Sequence, residues 1–239
     1  YIADGLSKLA TVDLRTSAFS PIHSAFVDIS GLKARDGQVI FVGGSLLKLP
    51  AVASINLEAK EVDIIYQSGE ANLDVSNISR PIPVSIPVGE DETTHGFFYQ
   101  PQNASYAGPS DALPPLIVKC HGGPTGQTSA ALNLKTQYWT TRGFAVLDVN
   151  YRGSSGYGRA YREKLNGKWG LVDVEDCVTS ANWLAAKGWV DKGRMAISGN
   201  SAGGYTTLCA ITFEECFAAG ASYYGIGDLS ELAKETHKF

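Results

Sequence analysis

Met195-Ala196-Ile197-Ser198-Gly199-Asn200-Ser201-Ala202-Gly203-Gly204-Tyr205 is the stretch on which the fold turns. The strand Arg194–Ser198 leads in, and Ala202–Thr212 reads as the helix behind it. Between them stands Gly199-Asn200-Ser201-Ala202-Gly203, a G-x-S-x-G pentapeptide extended by Gly204. The motif alone is short enough to arise by chance. A strand before it and a helix behind it make it specific, because that is the setting of a nucleophile elbow. A sharp turn there lifts the serine hydroxyl above the sheet edge on strained backbone. Gly199, Gly203 and Gly204 are needed because side chains would strike the neighbouring strand or helix. The helix start brings partial positive charge and the free N–H of Ala202, both suited to an oxyanion. A serine that merely caps a helix beside a glycine-rich contact is the alternative at this point.

Working outward, strands alternate with helices, the pattern of a parallel α/β sheet. Leu116–Cys120 reads as a buried strand, Ala130–Arg142 as a helix and Ala145–Tyr151 as the next strand. Leu171–Lys187 is the clearest helix: Cys177, Ala181, Leu184 and Ala185 share one face. Asp173, Glu175 and Asp176 crowd its first turns, where the helix dipole favours anions. Ala219–Tyr224 is a further strand. Ahead of these, Pro81–Val88 suggests an edge strand because of its prolines, with Thr94–Tyr99 after it. The fold class expected is α/β, an α/β-hydrolase fold. A second motif, His121-Gly122-Gly123-Pro124, comes directly after Cys120. The loop after such a strand supplies the other oxyanion donor in HGG-type motifs. The N–H of Gly123 is the candidate, with Gly122 giving the backbone room and His121 orienting the turn rather than acting as base.

Residues 1–75 read differently. Short alternating runs recur at Leu9–Leu14, Ala25–Ile29, Gln38–Val42, Val52–Leu57 and Val62–Tyr66. Lys33–Gly37 and Gln67–Gly69 read as turns between them. Tyr1–Asp4 echoes Phe41–Gly44, and Leu9–Leu14 echoes Val52–Leu57. That offset of roughly 40 residues is the length of one four-stranded propeller blade. A small antiparallel sheet with chance similarity is the other reading of this segment.

Bulk properties narrow the function. Of 239 residues, 44% are hydrophobic and 18% charged, as in a globular chain with a sizeable core. A net charge of −4 without any Lys/Arg run speaks against nucleic acid. No apolar stretch approaches the roughly 18–20 residues of a membrane helix. Cys120, Cys177, Cys209 and Cys216 form no CxxC pair and read as buried thiols of a reducing, cytoplasmic compartment. His23, His95, His121 and His237 show no HxxxH or HExxH spacing, so neither a metal nor another cofactor is expected. The chain starts at Tyr1 rather than Met, and Glu235–Phe239 carries no stop signal after an apparent helix start. Both ends read as cut.

Four motifs in order carry a resemblance. They are His121-Gly122-Gly123-Pro124, Asn150-Tyr151-Arg152-Gly153-Ser154-Ser155-Gly156-Tyr157-Gly158, Trp169-Gly170 and Gly199-Asn200-Ser201-Ala202-Gly203-Gly204-Tyr205. From about Arg80 to Phe239 the chain resembles the prolyl oligopeptidase family of serine peptidases, especially its acylaminoacyl-peptidase and dipeptidyl-aminopeptidase-like branch. The resemblance implies Ser201 as nucleophile and Gly123 and Ala202 as backbone oxyanion donors. His121 stands where prolyl oligopeptidase proper has a tyrosine, which is why the other branch fits better. Arg152 matches a loop-tying arginine. The resemblance also implies that residues 1–75 are the last one or two blades of a β-propeller. Residues 76–239 are then the peptidase domain, truncated before its catalytic acid and histidine. Asp228 and His237 come after Ser201 in the right order but are not expected to be those partners. A short peptide is the expected substrate, with a homo-oligomer or association with the missing part of the chain as possible further contacts. The rival readings are a carboxylesterase or lipase on the same fold, and a non-catalytic binding module.

Overall fold

A computed structural model of the chain describes residues 1–69 and 73–235. Two short hairpins come first: β1 (Ile2–Ala3) pairs with β2 (Leu6–Ser7), and β3 (Leu9–Val12) with β4 (Phe19–Ile22), all antiparallel. A four-stranded antiparallel meander comes next, in the order β5 (Phe26–Arg35), β6 (Gln38–Ser45), β7 (Ala51–Asn56) and β8 (Val62–Gln67). This is the up-and-down order of one propeller blade. The first half of the echo differs in pairing: Ile2–Ala3 folds back locally onto Leu6–Ser7, whereas Phe41–Gly44 lies inside the meander. The second half agrees, since β3 pairs with β4 as β7 pairs with β8.

The expected five-residue turn Lys33–Gly37 shrinks to Asp36-Gly37. Both adopt positive φ, 49° and 76°, and Arg35 already pairs with Gln38. Asp-Gly with both residues left-handed is the two-residue hairpin turn whose twist suits flanking strands. The strand expected to stop at Ile29 therefore runs on to Arg35. A core of Leu9, Val39, Phe41, Ala53 and Ile55 joins the second hairpin to the meander.

After a short 3₁₀ turn at Val75–Asn77, the chain builds a six-stranded mixed sheet. Its strands are β9 (Ile82–Val88), β10 (Glu92–Tyr99), β11 (Leu116–Cys120), β12 (Ala145–Asn150), β13 (Met195–Asn200) and β14 (Ala219–Tyr223), in spatial order β14-β13-β11-β12-β10-β9. β11 runs parallel to β12 and β13, and β14 parallel to β13; β9 and β10 pair antiparallel. β9, with Pro83 and Pro87, lies at one edge, where missing N–H donors cost no ladder bond. No strand of the first 69 residues joins this sheet.

The helices are α1 (Leu134–Thr140), α2 (Arg159–Glu163), α3 (Val172–Ala186), α4 (Ala202–Phe213) and α5 (Leu229–Glu235). α1 is shorter than the expected Ala130–Arg142. Asn133 accepts from the Lys135 and Thr136 N–H groups and so caps the helix four residues later than read. α2 was not expected; five residues are too few to show a helical period. Strand ends at Asn150, Asn200 and Tyr223 each differ from expectation by one or two residues. The main core packs both β11–β13 and α3, including Val118, Leu147, Ile197, Cys177, Ala181 and Leu184, each at most 1% exposed. Ala185 completes that helical face as a half-buried neighbour. Among the described residues no helix is long and apolar enough to cross a membrane.

Candidate active site

Ser201 sits between β13 and α4, where the chain reverses from strand to helix. Its φ of 53° and ψ of −120° lie outside the regions a side chain prefers. Its N–H donates to the Tyr223 carbonyl at 3.1 Å, and its own carbonyl accepts from Gly204 at 2.9 Å and Tyr205 at 3.2 Å. The side chain makes no cap bond and no other hydrogen bond among the described residues. The half-buried hydroxyl is therefore free, which removes the motive for a capping serine.

Close approach explains the glycines. A side-chain carbon on Gly203 would strike the Cys120 and His121 carbonyls, and one on Gly199 would strike the Gly203 carbonyl. With these two positions bare, α4 lies directly on the end of β11. Gly204 likewise lets α4 touch Gly225, at 2.6 Å from where a Cβ would stand. Ala202, the first residue of α4, is buried and precedes the helical hydrogen-bond ladder.

The His121–Pro124 loop lies against this turn. A Cβ built on Gly122 would stand 3.2 Å from the Asn200 carbonyl oxygen and 3.4 Å from the Ser201 Cβ. Gly123 is next, with φ 131°, beyond the reach of ordinary side-chain-bearing residues. Gly122 thus lies directly against the Ser201 turn.

His121 is committed elsewhere. Its Nδ1 lies 2.8 Å from the Gly122 carbonyl, its Nε2 lies 2.7 Å from the Ser154 hydroxyl, and the ring stacks on Tyr151 at 4.3 Å. A carbonyl only accepts, so Nδ1 carries the proton and Ser154 donates to Nε2. Burial pushes the His121 pKa down, which favours that neutral form. The Tyr151 hydroxyl donates to the Pro124 carbonyl at 2.6 Å, closing the loop from below.

The other motif residues brace these two loops. Arg152, buried, binds Asp176 through its backbone N–H at 2.6 Å and its Nε at 2.8 Å, and reaches Glu92 and Glu175 with its terminal nitrogens. Asp173 accepts from the Gly170 N–H at 2.6 Å and from the Thr206 hydroxyl. Asp173 and Asp176 lie in the first turns of α3 as expected, and both are fully buried and make cross-element bonds as well. Only the fold brings Thr206 and Arg152 to them, so no sequence spacing could have shown it.

Asp228 caps α5, accepting from the Ser230 N–H at 2.7 Å and the Glu231 N–H at 3.3 Å. His237 lies outside the described residues. Among the described residues no group of three or more His, Cys, Asp and Glu side chains could hold a metal ion.

This geometry has counterparts. Residues 130–239 match the Prolyl oligopeptidase family. The chain is 34% identical over 153 residues to dipeptidyl aminopeptidase BIII of Pseudoxanthomonas mexicana, covering 63% of this chain and 22% of that protein. It is 37% identical over 97 residues to the acylamino-acid-releasing enzyme of Arabidopsis thaliana, covering 41% of this chain and 13% of that one. The structure of a Mycobacterium tuberculosis puromycin-hydrolyzing peptidase superposes with a TM-score of 0.93 at 38% identity, over 98% of this chain and 36% of that chain. The chain thus spans about a third or less of the relatives it matches. Its antiparallel sheets and mixed sheet match the end of a β-propeller and, after it, part of an α/β-hydrolase fold. Ordered motifs, elbow and superposition agree, and the chain belongs to the prolyl oligopeptidase family, on its acylaminoacyl- and dipeptidyl-peptidase-like side.

Proposed function

We propose that the protein is a serine peptidase that cleaves short peptides, in the manner of an acylaminoacyl- or dipeptidyl-peptidase, through an acyl-enzyme on Ser201. The state of Ser201 carries this reading: strained backbone, a free hydroxyl, and the Gly122-Gly123 loop packed against it. Strain kept at a residue whose side chain makes no bond in return points to function. A histidine takes the proton from Ser201 as its oxygen attacks the peptide carbonyl. The Gly123 and Ala202 N–H groups hold the oxyanion, the amine leaves with the proton, and water releases the acyl group.

His121 is bound on both ring nitrogens, and Asp228 caps a helix. Neither is set to serve Ser201, and in this proposal the base and its acid partner come from sequence that follows these residues in a polypeptide of the relatives' length. The division of labour falls near residue 75: blade-forming residues 1–75 beside peptidase residues 76–239. Four cysteines outside any CxxC pair suit a reducing, cytoplasmic location, which recovery of a tagged protein in the cytosolic fraction checks.

A polypeptide of the relatives' length that contains this chain should be labelled at Ser201 by a fluorophosphonate, and Ser201→Ala should abolish labelling. It should hydrolyse an aminoacyl or acyl-peptide amide; turnover of a short-chain ester with none of the amide would make it a carboxylesterase instead. The 239-residue chain alone should show at most the residual acceleration of about 10³–10⁴ over water left by oxyanion donors without a triad. Full turnover by that chain would place the whole triad within it.

A further inference from the structure

We propose that Asp173, acting through Thr206, is a positioning residue that sets where the Ala202 N–H points; this rests on reading Ser201 as nucleophile and Ala202 as oxyanion donor. Asp173 stands in the first turn of α3 and Thr206 in the second turn of α4, and neither exposes any surface. The Thr206 hydroxyl donates to Asp173 Oδ2 and also lies 3.3 Å from the Ala202 carbonyl oxygen. Asp173 Oδ1 accepts from the Gly170 N–H at 2.6 Å. A carboxyl removed from water needs such partners. These partners lead from one loop, through the carboxyl, to the carbonyl of the residue whose N–H faces the reaction.

The neighbouring residue holds the same helix a second way. Gly170, at φ 85°, lies so close to Tyr205 that an added Cβ would stand 2.7 Å from its ring. Trp169 meets that ring edge-on, with centroids 5.2 Å apart. Trp169, Gly170 and Asp173 thus grip Tyr205 and Thr206, one turn beyond Ala202.

The inner side of α4 shows why a grip is needed. It meets the sheet through Gly203 and Gly204, which approach the Cys120, His121 and Gly225 backbones without side chains. Side chains of α4 meet the sheet and core farther along, at Thr207, Cys209 and Ala210; at the first turn the bare backbone contact fixes depth and leaves the angle to be held by Thr206. A catalytic donor must be held within about 0.5 Å and 10–20°. Thr206 is about 6 Å along the helix from Ala202 at about 1.5 Å per residue, so anchoring it anchors that angle.

The test uses a polypeptide of the relatives' length. Fluorophosphonate labelling of the wild type at Ser201 comes first; no labelling defeats the reading of Ser201 itself, an outcome distinct from failure of the positioning role, in which the wild type is labelled. Thr206→Val, which deletes the bond to Asp173 and the hydroxyl's contact with the Ala202 carbonyl at nearly constant volume, should lower kcat about 10-fold with KM changed less than about 2-fold. Affinity for a peptide aldehyde, which forms an oxyanion-like adduct on Ser201, should fall by the same about 10-fold, while affinity for the product peptide stays within about 2-fold. Thr206→Ser, which keeps the hydroxyl, should restore the wild-type ratio of the two affinities. Equal losses for aldehyde and product, no loss in either, or no rescue by Thr206→Ser would each overturn the proposal. Where Thr206→Val does not fold, Asp173→Asn, whose amide turns the Thr206 hydroxyl from donor to acceptor, carries the same aldehyde-against-product comparison and decides it.

Discussion

At the residue scale, Ser201 trades stability for exposure of its hydroxyl. A non-glycine residue at φ 53° and ψ −120° carries strain of about 1–3 kcal/mol. Ser201→Gly should relieve it and raise the stability of the fold by about 1 kcal/mol, measured by urea denaturation, while removing fluorophosphonate labelling. Ser201→Ala should lose the labelling with no such gain; equal stability of both variants would show that the turn is unstrained. The converse holds at Gly203, where a methyl group would strike the Cys120 and His121 carbonyls. Gly203→Ala should destabilise by at least about 2 kcal/mol, since backbone on two elements must move to admit it. Asp173 carries a pH signature. Burial, the largest influence on it, raises its pKa, although the Thr206 and Gly170 bonds oppose the rise. The folded state then holds its proton more tightly than the unfolded chain, whose carboxyl titrates near about 3.9. Its contribution to stability is complete below about pH 4 and is lost as pH rises through the raised pKa. The stability margin of the wild type over Asp173→Asn should therefore shrink from about pH 4 upward, read from urea midpoints across that range. A margin that grows with pH would reverse the sign of the shift.

At the element scale, the loops carrying Arg152 and Gly170, and α4 through Thr206, are tied to α3. Arg152 gathers Asp176, Glu175 and Glu92, but its partners are unequal: the Asp176 side chain is fully buried, and that of Glu175 is 58% exposed. Arg152→Met would leave the buried Asp176 carboxylate without its counter-charge, holding only the backbone N–H of residue 152 and Thr94, and should destabilise by about 3–5 kcal/mol in chemical denaturation. Glu175→Gln should change stability by less than about 1 kcal/mol, because water screens the exposed partner. Equal effects would mean that the network acts as a surface cluster. Element boundaries also show where sequence reading succeeds. Leu116–Cys120 is found as expected because the apolar run Leu116-Ile117-Val118 suits a strand buried on both faces. α1 starts late because Asn133 competes for the first N–H groups. β5 outruns its expected end because Asp36-Gly37 makes a full turn in two residues, which leaves Lys33–Arg35 free to pair.

At the scale of the whole molecule, the chain presents apolar surface at two places. β14 is the open edge of the six-stranded sheet, with Tyr223 and Tyr224 exposed at its end. The outer strand β8 of the meander exposes Ile64, Ile65 and Tyr66. An open edge with apolar neighbours offers unpaired backbone groups and surface that water hydrates poorly. The 239-residue chain alone should therefore associate with rising concentration in sedimentation velocity; a monomer unchanged across the range would show that both surfaces are covered from within.

The sequence by itself determined the kind of fold and the place of the candidate nucleophile. The strand–glycine–serine–glycine–helix order is a local pattern, and local backbone preferences and hydrophobic periods are written along the chain. The order of the four motifs likewise carried the family. Only the tertiary structure decided that Ser201 leaves its hydroxyl free, that His121 spends both ring nitrogens on Gly122 and Ser154, and that Asp173 and Asp176 bind Thr206 and Arg152. Those facts join residues 24 to 33 positions apart, or turn on which of several polar groups a buried side chain meets. No period or spacing encodes such a choice. It is made when apolar faces pack, and each polar group sealed inside must bond with whatever the packing brings within reach.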